Sequence, residues 1–234
     1  MLVLGLETAG EHGCVGLVQD DRVLSEIVFH AAMKHGERLL PAVEAALELA
    51  EVQKRDLELI VASVGPGSFT GLRIGLSMAK GLARALEVPL VGVSAFEAYV
   101  QRAAFWPGPV WVLLPDRRDW IYAAGYEAGQ VAHAPQALPL GEFLEGLKAS
   151  GRVLFIGPGA ELYHDALEGY GVVASSAMNR PSGVQIAQLG LESYRRKGGD
   201  ELYTLEPLYL QPPLASEPPT RQQQQHKDEA KIKL

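Results

Sequence analysis

The chain has 234 residues, 47% hydrophobic and 21% charged, enough for one large folded unit or two small ones, and its net charge of -7 argues against independent nucleic-acid binding. The single cysteine, Cys14, excludes an internal disulfide and fits a reducing cytoplasm. The apolar start lacks the length and basic head of a signal peptide, and no run approaches the roughly 20 apolar residues of a membrane span.

Hydrophobic patterning predicts strands at 2–7, 14–19 and 23–29, the last two joined by the turn Gln19-Asp20-Asp21-Arg22. A helix follows over 37–52, where Leu39, Val43, Ala46, Leu47 and Ala50 share one stripe. Pro41 bends or starts it. Leu40 cannot share a narrow stripe with Leu39, so the apolar face is wide enough to pack on a sheet and on a second chain.

A buried strand at 59–64 then runs into Gly65-Pro66-Gly67-Ser68-Phe69-Thr70-Gly71-Leu72-Arg73-Ile74-Gly75. Three glycines and a proline in seven residues dictate an unusual backbone path, and a bulky apolar Phe69 sits inside the turn. Three readings stand for this loop: a tight strand-to-helix connection, a phosphate cradle, or a protein contact. It is not a Walker A loop, because the Lys-Ser/Thr pair is missing. The helix over 71–86 carries Gly71, Gly75 and Ala79 as a row of small residues along which another helix can approach closely. A strand at 90–93 and a helix at 95–103 end this half.

Phe105-Trp106-Pro107-Gly108-Pro109 marks a junction, after which the plan repeats. Strands are predicted at 110–114, 120–126 and 130–134, a helix at 140–148, a strand at 153–156, a helix at 160–168, a short strand at 172–174 and a helix at 182–196 capped by Ser182. The expected organisation is a lobe at 1–103, a smaller lobe at 104–211 whose last helix is a candidate to pack back on the first, and a tail at 212–234. That tail, rich in Pro and Gln, has too few apolar residues to order itself.

The loop from Gly65 to Gly75 resembles the signature of the bacterial TsaB (YeaZ) family, which reads G-P-G-S-F-T-G-L-R-I-G. The opening Leu4-Gly5-Leu6-Glu7-Thr8-Ala9, the helix start from His35 to Pro41, the strand approach from Asp116 to Tyr122 and the closing Pro207-Leu208-Tyr209-Leu210-Gln211 resemble that family as well, with Gln211 replacing Arg. Residues 1–103 match best. The resemblance implies an α/β fold of two duplicated ribonuclease-H-like lobes, the actin/Hsp70/sugar-kinase (ASKHA) architecture. It implies a non-catalytic subunit that supports a TsaD-like catalytic subunit in making tRNA threonylcarbamoyladenosine next to the anticodon. A TsaE-like ATPase belongs to the same complex, the chain pairs with itself when alone, and tRNA is reached only through the complex. The alternative is a nucleotide-dependent kinase-like or peptidase-like enzyme of the same superfold.

The residues themselves argue against independent chemistry. Actin-like ATPases grip phosphates between two glycine-containing turns, with carboxylates placing Mg²⁺. The first turn has Glu7 and Thr8 in the right place, but Glu11 would repel phosphate; the second, at 115–119, has no glycine. With Gly157 and Gly159, Glu7 and Thr8 make a vestigial nucleotide site at most. No cofactor is expected, with ATP or ADP in the cleft or at a complex interface as the exception. No two histidines stand four apart, so no metal site is expected. The candidate site is therefore a partner or dimer surface: Leu39, Leu40, Val43, Leu47, the loop Gly65, Pro66, Gly67, Ser68, Phe69, Thr70 and Gly71, then Arg73, Gly75 and Ala79.

Overall fold

The computed structural model describes residues 1–31, 34–147 and 152–211. The expectation for 212–234 and the end of the helix predicted over 140–148 lie outside these residues. The chain builds two five-stranded sheets. The first comprises β1 (Leu2–Glu7), β2 (His12–Gln19), β3 (Arg22–His30), β4 (Leu59–Gly65) and β5 (Leu90–Ser94), in the order β3-β2-β1-β4-β5. The second comprises β6 (Val110–Pro115), β7 (Trp120–Glu127), β8 (Gln130–Pro139), β9 (Leu154–Ile156) and β10 (Val172–Val173), in the order β10-β9-β6-β7-β8. The two orders are the same plan: an antiparallel meander of three strands, then two strands added in parallel on the other side of the first. This is the duplicated ribonuclease-H-like, ASKHA architecture.

Helices repeat too. α1 (His35–Leu49), α2 (Phe69–Leu86) and α3 (Ala95–Arg102) follow the strands of the first half of the chain; α4 (Leu140–Gly146), the short α5 (Pro158–Leu162) and α6 (His164–Leu167), and α7 (Gly183–Lys197) follow those of the second in the same order. The helix predicted over 160–168 is thus two pieces, and β8 runs further than its predicted end at 134. α1 and α2 cover one face of the first sheet, burying Leu39, Val43, Leu47, Leu76 and Ala79 against Leu4, Leu6, Leu17 and Ile60. Ser68 starts α2: its Oγ accepts from Gly71 N at 3.2 Å.

The last helix of each half crosses over. α7 lies on the other face of the first sheet, placing Val184, Ile186, Ala187 and Leu191 against Val3, Val61 and Val91. Its approach depends on missing side chains: a Cβ on Gly5 would meet Gly183 O at 2.2 Å, and one on Gly183 would meet Gly16 N at 2.3 Å. α3 places Phe96 and Tyr99, followed by Ala103 just after its end, into the core of the second sheet with Val112, Leu114 and Ile156. The two halves therefore share their cores. Among the described residues, no helix is long and apolar enough to cross a membrane.

Candidate functional site

The signature loop is moulded on the first turn of the chain. Ser68 N donates to Ala9 O at 2.7 Å. A Cβ on Gly67 would stand 2.3 Å from the same carbonyl oxygen, so only glycine lets the two backbones meet. Gly65 has φ 96°, a left-handed conformation that favours glycine, and the Gly65–Pro66 peptide is cis. Ser63 links the loop to Glu7: its hydroxyl donates to the Glu7 carboxyl and accepts from Gly65 N at 3.3 Å.

This geometry corrects the expected row on α2. Gly71, Gly75 and Ala79 do not face outwards. A Cβ on Gly71 would meet the Thr8 carbonyl oxygen at 2.2 Å and one on Gly75 would meet Thr8 Oγ1 at 2.1 Å, while Ala79 is buried in the chain's own core. Leu39, Val43 and Leu47 likewise pack inside, and Gly65 and Pro66 are buried. Of the candidate partner residues, Leu40, Ser68, Thr70 and Arg73 are exposed, and Gly67 and Phe69 are half-buried. Helical spacing shows that residues share a face; it does not say whether that face meets the chain's own first turn or a second molecule.

Phe69, the unusual apolar residue of the loop, has a partner that sequence reasoning did not assign to the site. Its ring lies 5.0 Å from that of Tyr209, and the Arg73 guanidinium stands 3.7 Å over it. Arg73 Nε donates to the Tyr209 hydroxyl at 3.0 Å. The closing motif at 207–211 was the available signal: it follows all predicted elements yet remains rich in apolar residues. Leu208 N donates to Val64 O at 2.7 Å, and Leu210 packs on the second core.

The other candidate group, Glu7, Thr8, Gly157 and Gly159, does not form an open cleft. Glu7 is 3% and Thr8 1% exposed. Burial pushes the Glu7 carboxyl above its ordinary range, opposed by hydrogen bonds from Ala9 N, Ser63 and Thr8 N. The crevice over Glu7 is lined by Ala98, Tyr99, Arg102, Arg180 and Gln185 and is too tight for a water molecule. Arg102 donates to Arg180 O and, at 2.8 Å, to Ala177 O. Across from it, Gly157 N donates to Asn179 Oδ1 at 2.9 Å, so that amide is taken by the chain itself. Gly157 and Gly159 permit close packing on β6 instead: their Cβ positions fall 2.5 and 2.8 Å from Leu113 O.

At the glycine-free second turn, Asp116 accepts from Tyr122 OH at 2.9 Å, and Arg117 lies over the Trp120 ring at 4.9 Å. Burial and the Asp116 bond push the Tyr122 phenol up. The β2–β3 register places His12 opposite His30, with ring centroids 5.3 Å apart, a pair that sequence spacing does not reveal. Arg180 Nη1 stands 3.1 Å from His12 Nε2, and burial lowers the His12 pKa. Among the described residues, no three His, Cys, Asp or Glu side chains converge to hold a metal ion. His35 is buried at the start of α1, and its ring hydrogen-bonds the Gly10 backbone.

Comparison with known proteins gives a consistent picture. The family model described as TsaD, tRNA N6-adenosine threonylcarbamoyltransferase, matches residues 23–180. The tRNA threonylcarbamoyladenosine biosynthesis protein TsaB of Bacillus subtilis is 31% identical over 219 residues, 90% of this chain and 94% of that protein. The tRNA N6-adenosine threonylcarbamoyltransferase of Prosthecochloris aestuarii is 35% identical over 114 residues, 43% of this chain but 33% of the transferase. The solved structure of YeaZ from Pseudomonas aeruginosa superposes with a TM-score of 0.75 at 27% identity, covering 89% of this chain and 99% of that one.

Proposed function

The chain belongs to the TsaB (YeaZ) family of tRNA threonylcarbamoyladenosine biosynthesis proteins, and within that pathway we propose that it is a non-catalytic organising subunit that binds a TsaD-like catalytic subunit. The observation that carries this reading is the burial of the first turn, with Glu7 3% and Thr8 1% exposed. In an ASKHA enzyme the space beside the first turn receives phosphate. Here the signature loop sits on that turn, Glu7 is buried, and Arg102, which lines the crevice, is held by Ala177 O. Energy that an enzyme would keep for a ligand is spent on holding a loop in one shape. A loop held so firmly, with Thr70 and Arg73 outward, suits recognition of another protein.

The same reading has the chain pair with itself when alone, work in the cytoplasm beside a TsaE-like ATPase, and meet tRNA only through the complex. Its densest basic run supports the last point. Arg195 is engaged by Asp20 at 3.0 Å and Lys197 by Asp200 at 2.8 Å, so two of the three cations at 195–197 are already neutralised within the chain. Co-expression with the TsaD-like protein of the same organism tests the proposal. A stable complex, and threonylcarbamoyl transfer that needs both chains, is the expected result. Transfer by this chain alone, or no association with its partner, would refute it.

A further inference from the structure

One face of β2 carries a seam. Residues 12, 14 and 16 alternate onto the same side of the strand, and the segment leading into α7 meets all three. At the inner end Gly16 lies against Gly183 and Val184; a Cβ there would meet Val184 N at 2.2 Å. Glu26 on β3 pins this end again, its Oε1 accepting from Ser182 Oγ at 2.6 Å and from Val184 N at 3.1 Å. In the middle the buried Cys14 Sγ donates to the Pro181 carbonyl oxygen at 3.4 Å. At the outer end Arg180 Nη1 stands 3.1 Å from His12 Nε2. A guanidinium has donors only, so this contact needs a neutral His12 whose Nε2 accepts. Among the described residues, no other hydrogen bond holds the Arg180 side chain.

Charges reach His12 from several elements. Burial first, then Arg180 and the cross-strand His30, hold the ring neutral to lower pH than an ordinary histidine; Glu11 in the preceding turn and Glu161 on α5 oppose them. Both carboxylates have partners of their own, Glu11 in His30 at 4.0 Å and Glu161 in the Ser176 hydroxyl. Two further cations stand close by: Arg38 donates to His30 O and Arg102 to Arg180 O. A proton on His12 turns its acceptor into a donor that faces a guanidinium. The contact is thus fully present above the ordinary value of 6.5 and is lost as pH falls through the lowered one. Glu7 works in the opposite sense, its contribution being lost as pH rises. Arg180 and Pro181 also line the crevice over Glu7, so the outer end of the seam is a wall of that crevice.

We propose that His12 is a proton-operated latch on the outer end of this seam, shutting the crevice over Glu7 when neutral and opening it when protonated. Neutral, the ring holds Arg180 against β2. Protonated, it repels Arg180, and residues 180–181 lift away from Cys14. The movement is confined to these residues. On one side Asn179 stays bonded to Gly157 N and Ala174 O, and on the other Glu26 keeps the start of α7 docked. This device is independent of the partner-binding reading above.

Cys14, the single cysteine of the chain, reports on the latch in the full-length protein. Its rate of reaction with dithiodipyridine, divided by the rate in the urea-unfolded chain at the same pH, measures protection free of thiol ionisation. Between about pH 7.5 and about pH 5, on either side of the ordinary histidine value, wild-type protection should fall by about tenfold, as for loss of one hydrogen bond to a charged group. His12→Gln keeps an oxygen that accepts from Arg180 but takes no proton, and should stay protected at both pH values. His12→Lys, a permanent cation, should be weakly protected at both. Arg180→Gln should behave like His12→Lys and gives that result without altering β2. His30→Gln should respond to pH as the wild type does. Constant protection in the wild type overturns the proposal. So does a pH response that persists in His12→Gln or disappears in His30→Gln. Exposure of Cys14 accompanied by loss of the circular-dichroism signal is unfolding of the whole chain and overturns it as well.

Discussion

The three glycines of α2 allow the packing of the signature helix to be tested against a built-in control. A Cβ on Gly71 would meet a backbone oxygen of Thr8 at 2.2 Å, one on Gly75 would meet Thr8 Oγ1 at 2.1 Å, and one on Gly81 would meet nothing within 4 Å. Thr8 is 1% exposed and so has little room to move aside. Exchanging Gly for Ala inside a helix is worth roughly 1 kcal/mol in favour of folding. Forcing an extra carbon into a filled site costs roughly 1–3 kcal/mol, occasionally more. Gly81→Ala should therefore stabilise by about 0.5–1 kcal/mol. Gly75→Ala should destabilise by about 1 kcal/mol net, because a side chain must leave its rotamer. Gly71→Ala should destabilise by about 2 kcal/mol or more, since the obstacle is backbone and the helix gain is smaller in the first turn. At this chain length the melting temperature should move by about 2–4 °C per kcal/mol. Urea unfolding followed by circular dichroism, with matched thermal scans, measures all three. Equal stability of the three variants would mean that α2 can slide off the first turn, and would refute the moulding argument. Gly75→Leu, which a row facing a second helix would let fold, should on this geometry unfold the protein.

The Glu7 carboxyl is held above its ordinary 4.5 by burial, so its contribution to stability is fully present below that pH and is lost as pH rises through the raised value. Glu7→Gln should flatten the stability profile above pH 4.5, and urea titrations showing the wild-type slope in the variant would contradict the burial account. The isolated chain should neither transfer threonylcarbamoyl nor hydrolyse ATP, with or without added metals; turnover that survives repurification and disappears in Glu7→Ala would contradict the closed crevice. In filter binding at moderate salt the isolated chain should not retain tRNA, and tight retention weakened by neutralising Arg195, Arg196 and Lys197 would oppose the view that the complex supplies the phosphate contacts. Light scattering should find a homodimer in the absence of a partner.

Alternation and run length placed the core strands and the longer helices to within a few residues, because local patterning reflects burial on one side of an element. The repetition of three strands, helix, strand, helix, strand, helix made the duplicated fold legible, and the glycine-rich loop announced a backbone path that few residue types can follow. Net charge argued against independent nucleic-acid binding, and the glycine-free second turn against a phosphate grip there. What sequence could not determine was which way each face points. Gly71, Gly75 and Ala79 lie on one side of α2 by periodicity alone, but only the position of Thr8 makes that side internal. His12 and His30 become neighbours through the register of β2 on β3. The crossing of α3 and α7 between sheets, the Arg102 contact with Ala177 O and the Gly157–Asn179 bond depend on contacts between elements far apart in the chain. Arg73 and Tyr209 are 136 residues apart, and no local period connects them. Periodicity encodes how a residue stands on its own helix or strand; the partner it meets is decided by packing of the whole chain, and for this protein the site is made of such meetings.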